Sequence, residues 1–140
     1  MQLSEANKKI ISDEFRVIVR LINEEEDALR RVYYFSAAYG VVQRVINSEF
    51  NNELTLMHSV LHNTYLALDS RLKSIISGGE RVIELPSNAL SVLSSALNEL
   101  CDVISKDQDI YEPLAKIAAI SYVTTGNGYY LYRKGVLRLE

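Results

Sequence analysis

Several residue types that build cross-links and reactive sites are scarce in this chain of 140 residues. It has one cysteine, Cys101, no tryptophan, two prolines and two histidines. A single cysteine excludes an intramolecular disulfide, which is typical of a reducing, cytoplasmic setting. Because Cys101 lies within an apolar helical pattern, we expect it to be a small buried hydrophobe rather than a nucleophile.

Long apolar runs and an excess of positive charge are also missing. No run reaches the roughly 18 residues that a membrane span needs, and Ser12, Asp13 and Glu14 interrupt the N-terminal region where a signal peptide would have its apolar core. We therefore expect no membrane partner and a cytoplasmic location. The net charge of −3 argues against bulk binding of polyanions. The length and ordinary composition predict one domain over residues 1–140.

Motifs that carry common chemistries are absent as well. Gly78-Gly79 lacks the Lys and Ser/Thr of a P-loop. No Gly-x-Ser-x-Gly segment marks a nucleophilic serine, and no nucleophile and base stand out as a pair. The sequence favours a protein that is not an enzyme and that needs no cofactor.

The clearest positive signal is an apolar stripe between Glu53 and Ile76, which contains neither glycine nor proline. Its members recur at steps of three and four residues, as on one side of a helix: Leu54, Met57, Leu61, Tyr65, Leu68, Leu72 and Ile75. Val60, Leu66 and Ile76 widen the stripe. The pattern predicts the central helix of a bundle.

Similar stripes predict helices over residues 4–22, 29–46, 88–105 and 111–123. The acidic run at 23–27 either separates the first two helices or lies inside one long helix.

We favour a break at this run, because a straight helix of more than 40 residues would exceed about 60 Å. Asn23 would then cap the second helix, with Glu26 completing a capping box. Within that helix, we expect the cost of Gly40 to be compensated by close approach of a neighbouring helix.

Two segments have the composition of β structure. Residues 80–85 are short and β-rich, which predicts an extended segment. Residues 129–132 are strand formers, and Arg133, Lys134 and Gly135 fit a turn that ends in a left-handed glycine. We predict a β-hairpin over 129–139, to which residues 122–123 can add a third strand. The predicted fold is mainly α: an antiparallel four- to five-helix bundle with a small C-terminal β-hairpin.

A tyrosine-rich segment is the first candidate for function. Tyr33, Tyr34, Phe35 and Tyr39 lie where the helix is apolar nearly all round, and tyrosine is enriched at interfaces. We predict that these residues form an interface of a homo-oligomer, such as a homodimer, or with a protein partner. The leading hypothesis is therefore a non-catalytic interaction or scaffolding protein that self-associates or serves as a small subunit of an assembly.

The predicted hairpin is the second candidate. Its basic and aromatic residues suit phosphate contact and base stacking: Tyr129, Tyr130, Tyr132, Arg133, Lys134 and Arg138. With the two preceding helices it would mimic a winged helix-turn-helix, but the second of these helices has only one basic residue, Lys116. Nucleic-acid binding is therefore the alternative hypothesis.

His58 and His62 are the third candidate, because residues four apart on a helix point the same way and two imidazoles can share a metal ion. Asp69 lies near the same flank. Ser59 stands where a zincin needs glutamate, and paired Glu-x-x-His motifs are missing. Further ligands would come from carboxylates such as Glu14, Glu25 or Glu53. The competing interpretation is two partly buried, hydrogen-bonded histidines.

Overall fold

The computed structural model describes residues 1–76 and 85–139, and in these ranges the chain forms six α-helices and no strand. In chain order the helices are α1 Glu5–Glu24, α2 Ala28–Ser48, α3 Asn52–Ile76, α4 Ala89–Ser105, α5 Tyr111–Val123 and α6 Gly126–Arg133. No helix within these ranges is both long and apolar enough to cross a bilayer.

The first five helices form a closed ring around one core. Helix α1 packs between α2 and α4, helix α3 packs between α2 and α5, and the pairing of α4 with α5 closes the ring. Helix α6 packs on α5. Around the ring the order is α1, α2, α3, α5, α4, so the described parts of α3 and α4 are not neighbours although they follow one another in the chain.

Every helix of the ring contributes apolar side chains with almost no solvent exposure. Examples are Ile11, Phe15 and Ile22 in α1, Phe35 in α2, Leu61 and Leu68 in α3, Leu93 and Leu97 in α4, and Ile117 in α5. Full burial of one large apolar side chain is worth roughly 1.5–3 kcal/mol. Removal of these side chains from water is the main force that holds the ring together.

The predicted helix is confirmed as α3, but its predicted central place is not, since in the described residues it packs on two helices, α2 and α5. Leu54, Met57, Leu61, Leu68 and Leu72 are buried and Tyr65 is half-buried, as the stripe predicts, whereas the widening residue Leu66 is 49% exposed. The side chains of residues 75–76 lie outside the described part. The buried Thr64 hydroxyl donates a hydrogen bond to the Ile117 carbonyl oxygen at 3.3 Å and so ties α3 to α5.

The break between the first two helices is confirmed, but its predicted cap is wrong. Helix α2 begins after Asp27, whose carboxylate accepts a hydrogen bond from the Arg30 amide at 3.0 Å. Asn23 stays inside α1, where its side-chain oxygen accepts a 2.8 Å hydrogen bond from the Ser94 hydroxyl of α4. The Asn23 side chain, which the sequence pattern assigned to the cap of α2, therefore makes a tertiary hydrogen bond to α4 instead.

The predicted β-hairpin over 129–139 is wrong. Residues 126–133 are helical, and Tyr122 and Val123 belong to α5 rather than to a third strand. The Thr125 hydroxyl caps α6 by accepting a hydrogen bond from the Gly128 amide at 3.1 Å. The preference of tyrosine for strands depends on packing against neighbouring strands, and here Tyr132 packs against the core from a helix instead. Of the predicted extended segment, residues 80–84 lie outside the described residues, and Leu85 is not in a strand.

The glycine that suggested a hairpin turn instead ends α6. Gly135 has a φ of 78°. Its amide donates to the Tyr132 carbonyl at 3.1 Å, and the Val136 amide donates to the Leu131 carbonyl at 3.0 Å. This pair of bonds is the Schellman motif of a helix C-terminus. The left-handed conformation was predicted correctly, but the element that it ends was not.

Candidate interaction surface on α1 and α2

A groove of about 630 Å³ runs between α1 and α2 on the outside of the ring. Most of its lining is apolar, and one charged residue comes from each helix: Glu14, Val17, Ile18 and Leu21 of α1, and Ala37, Gly40, Val41 and Arg44 of α2. The two helices are antiparallel, since residues 25–27 link them at one end and the Glu49 carboxylate bonds the Ser4 amide at the other.

Helix α1 has two apolar faces, and only one of them belongs to the core. Ile11, Phe15, Ile18 and Ile22 point into the ring. A second set, spaced at four, three and four residues, lies on another side of α1, and its last three members line the groove: Ile10, Glu14, Val17 and Leu21. Ile10 is 40% exposed and Val17 is 44% exposed. The spacing matches the seam of a coiled coil, where a second helix normally covers such residues.

Helix α2 presents small residues to the same groove. Ala37 and Gly40 form its floor, with Tyr33 one turn before them and Arg44 one turn after. A Cβ atom added to Gly40 would meet no heavy atom of the described chain within 4 Å. The expectation that a neighbouring helix of this chain approaches Gly40 is therefore wrong, and the space above it is open.

One end of the groove is charged. Arg44 donates a hydrogen bond to the Glu14 carboxylate across the two helices. Arg44 is exposed and Glu14 is half-buried, so both keep contact with solvent. An arginine has five N–H donors, so this guanidinium can bind a second carboxylate without releasing the first.

The predicted tyrosine-rich interface does not form one exposed surface. Tyr33 is 68% exposed, whereas Phe35 is fully buried in the core. Tyr34 and Tyr39 are half-buried. Helical geometry separates neighbouring residues by about 100°, so a run of aromatic residues points to several sides of the helix. Of the four, only Tyr33 is exposed.

Tyr39 instead packs against the two histidines of α3. Its ring centroid lies 4.8 Å from that of His62 and 5.9 Å from that of His58, both in edge-to-face geometry. The imidazoles stack with their centroids 6.0 Å apart. The buried His58 Nε2 has no hydrogen-bond partner among the described residues, so the expectation of two hydrogen-bonded histidines fails at that atom.

The third proposed metal ligand does not join this pair. The Asp69 carboxylate binds the Lys73 ammonium at 2.9 Å, one turn further along α3. That hydrogen bond raises the pKa of Lys73. Burial raises the pKa of Tyr65, and the nearby negative charge of Asp69 adds to the effect. Across residues 1–76 and 85–139, no group of three or more His, Cys, Asp or Glu side chains is placed to hold a metal ion.

The basic residues of the C-terminal segment gather at the end of α6. Arg133, Lys134 and Arg138 are exposed beside a cavity of about 430 Å³, which Arg133 and Arg138 help to line. Tyr130 is 60% exposed, with the Lys134 ammonium 5.6 Å from its ring centroid. Tyr129 and Tyr132 are half-buried, and Tyr132 packs against the core. The structure thus brings the cations together on a helix end rather than on a hairpin.

The expectation for Cys101 is confirmed. The side chain is buried, and its thiol lies 3.8 Å from the Ser12 carbonyl oxygen, to which it donates. Burial raises the pKa of the thiol to about 11. The group is therefore protonated at neutral pH, and the thiolate is the nucleophilic form.

Sequence reasoning missed the groove, because small residues leave no hydrophobic signal. Ala37 and Gly40 look unremarkable in a helix pattern, and only their position opposite Val17 and Leu21 makes a concave surface. The available signal was the second stripe of α1, which begins at Ile10 and which the core does not need.

Comparisons with protein-family models, with curated proteins and with solved structures found no match for this chain. A function has to be inferred from its own surfaces.

Proposed function

We propose that this protein is a non-catalytic interaction protein that self-associates or serves as a small subunit of an assembly. The observation that supports this function is the open, mostly apolar groove between α1 and α2, whose lining residue Val17 is 44% exposed. Exposed apolar surface that is contiguous and rimmed by charge is typical of protein–protein interfaces.

Helix-in-groove docking fits the shape of this surface. A partner helix would cover the apolar stripe of α1 and occupy the space above Gly40. Each large apolar side chain that becomes buried contributes up to roughly 1.5–3 kcal/mol, and association costs at least about 4 kcal/mol of translational and rotational freedom. A few such side chains on each side are enough for a specific complex of moderate affinity.

Static light scattering on the purified chain tests this function. At about 100 μM, well above a micromolar Kd, we expect a mass of at least two chains of 15.8 kDa each. A strict monomer that also binds no dye specific for exposed apolar surface would contradict the proposal.

A second candidate function, nucleic-acid binding, is favoured by the end of α6. Arg133, Lys134 and Arg138 lie together there, and no ion pair engages them within the described part of the chain. The exposed Tyr130 ring provides a surface on which a base can stack. The cluster is small, so the expected affinity is low and strongly dependent on salt.

Binding of short single-stranded DNA and RNA at low salt tests this second candidate. We expect measurable binding that salt weakens and that the double substitution Arg133→Ala with Lys134→Ala abolishes. Substitution of Lys106, a lysine in the link between α4 and α5, is the matched control. No binding to any probe at low salt would remove nucleic acid from consideration.

A further inference from the structure

We propose that the cavity beside the end of α6 binds a phosphate monoester through Arg133 and Arg138, and that the class of ligand is a mononucleotide. The cavity has a volume of about 430 Å³ and lies where the chain that follows α6 passes Asn88, the residue before α4. This site goes beyond the nucleic-acid candidate, because a free nucleotide carries the same phosphate group as the end of a strand. It does not depend on self-association.

The backbone after α6 folds back and brings the two arginines to one cavity. Arg133 is the last residue of α6, and Arg138 follows the left-handed turn at Gly135. The Val136 amide closes this turn by donating to the Leu131 carbonyl oxygen at 3.0 Å. Both guanidinium groups therefore line the same cavity although five residues separate them in the chain.

The segment beyond the turn is also fixed. The Asn88 side-chain amide donates a 3.1 Å hydrogen bond to the carbonyl oxygen of Leu139, whose side chain is buried in the core. The Arg138 Nε donates a long hydrogen bond to the Gly135 carbonyl oxygen at 3.5 Å. This bond uses one of the five N–H donors of a guanidinium and leaves the two Nη groups for a ligand. Because the backbone at both arginines is held in advance, a ligand has less of the chain to order on binding.

The cavity is positively charged. No acidic side chain lines it among the described residues, and between Glu112 and Glu140 the sequence has no acidic residue, although the net charge of the chain is −3. Six lysine or arginine side chains elsewhere in the described ranges lie in ion pairs, whereas those of Arg133 and Arg138 do not. Like charges beside one cavity repel each other, and an anion between them offsets that repulsion.

A phosphate monoester matches this pair of cations in charge and in hydrogen bonding. It carries about −1.5 to −2 charges at pH 7 and has three strong acceptor oxygens. Guanidinium groups bind phosphate oxygens in bidentate geometry. A carboxylate carries a single negative charge, so it would leave one of the two positive charges uncompensated.

The rest of the cavity suits an organic group attached to the phosphate. Its volume falls in the range of sites for small organic molecules, roughly 300–1,000 Å³. The remaining lining includes Tyr132, Leu137 and Leu139. Aromatic residues stack on nucleobases of any sequence, so we place the base of the nucleotide against Tyr132.

Titration with adenosine monophosphate (AMP), followed through the amide NMR signals of the chain, tests the site. We expect signals of residues 131–139 to shift with a Kd of roughly 1 mM or below. Adenosine, which lacks the phosphate, and inorganic phosphate, which lacks the base, should each bind at least tenfold more weakly. Arg133→Gln and Arg138→Gln should each weaken AMP binding at least about tenfold, the usual effect of losing one hydrogen bond to a charged group.

Lys134→Gln is the matched control. Lys134 is an exposed cation next to Arg133 that does not line the cavity, and its ammonium lies 5.6 Å from the ring centroid of Tyr130. Physiological salt screens exposed charges that do not touch the ligand, so this substitution should change the Kd for AMP less than about threefold. Circular dichroism of all three variants should match wild type, because all three side chains are exposed.

The outcomes separate this site from the nucleic-acid candidate. AMP binding that both arginine substitutions weaken and Lys134→Gln does not supports the site, even if no strand binds. No AMP binding at about 10 mM, tenfold above a millimolar Kd, overturns the site, even if single strands bind equally with and without a 5′-phosphate. Equal losses from all three substitutions, or adenosine that binds as tightly as AMP, also overturn it. Inorganic phosphate that binds as tightly as AMP overturns the nucleotide as the ligand class.

Discussion

Gly40 and Gly128 show how far the role of a single residue depends on its surroundings. Both lie in helices, where glycine is less favourable than alanine by roughly 0.5–1 kcal/mol. Above Gly40 there is open space, whereas a Cβ atom added to Gly128 would lie 1.8 Å from the Tyr122 carbonyl oxygen. The first glycine widens a groove, and the second lets α6 approach the end of α5.

Alanine substitution at the two glycines should have opposite effects on stability. We expect Gly40→Ala to raise the free energy of unfolding by roughly 0.5–1 kcal/mol. Gly128→Ala should lower it by about 1–3 kcal/mol, because the added methyl group forces backbone to move. Urea unfolding of both variants measures the difference, and a stabilising Gly128→Ala would contradict the close contact between α5 and α6.

Glu49 is a residue through which stability depends on pH. Hydrogen bonds from the Asn7 side chain and the Ser4 amide lower the pKa of its carboxyl below 4.5. Because the pKa is lower in the folded state, this contribution is present above pH 4.5 and is lost as the pH falls through the folded-state pKa.

We therefore expect Glu49→Gln to lower the melting temperature at neutral pH, with a difference from wild type that shrinks steadily below pH 4.5. Glu26→Gln is the control, since Glu26 is exposed in the link between α1 and α2. A difference that stays constant from neutral pH to pH 3 would contradict a stabilising role of the Glu49 carboxylate.

Among the helices, those with a one-sided apolar stripe were predictable and those defined by caps were not. The stripe from Leu54 to Leu72 identified α3 within one residue at its start. Helix α6 was missed, because Thr125 and Gly135 occur equally in turns and in helix caps. The close contact of Gly128 with Tyr122 and the packing of Tyr132 against the core favour the helix.

The cap of α2 gives an element-scale prediction. Asp27→Ala removes the side chain that accepts from the Arg30 amide, and we expect it to lower the free energy of unfolding by about 1 kcal/mol. Glu26→Ala replaces the residue that the sequence pattern wrongly assigned to a capping box. It should change the free energy of unfolding by less than about 0.5 kcal/mol. Chemical unfolding of both variants checks the order, and equal losses would contradict Asp27 as the cap.

At the scale of the whole molecule, the ring leaves α1 and α2 with more apolar surface than its own core uses. Only part of this surface could be inferred from the sequence. The second stripe of α1 can be recognised in the sequence, but its position beside Ala37 and Gly40 depends on how α1 and α2 pack. The function proposed here depends on the groove that Val17 and Leu21 of α1 form with Ala37 and Gly40 of α2.

Sedimentation equilibrium of Gly40→Leu tests the central claim most directly. The added side chain fills the groove that a partner would occupy, while Gln43→Leu places the same side chain at an exposed position of α2 outside the groove lining. Self-association through the groove predicts a mass of two or more chains for wild type and Gln43→Leu, and the mass of one chain for Gly40→Leu. A Gly40→Leu protein that keeps the mass of the wild-type assembly would contradict self-association through this surface.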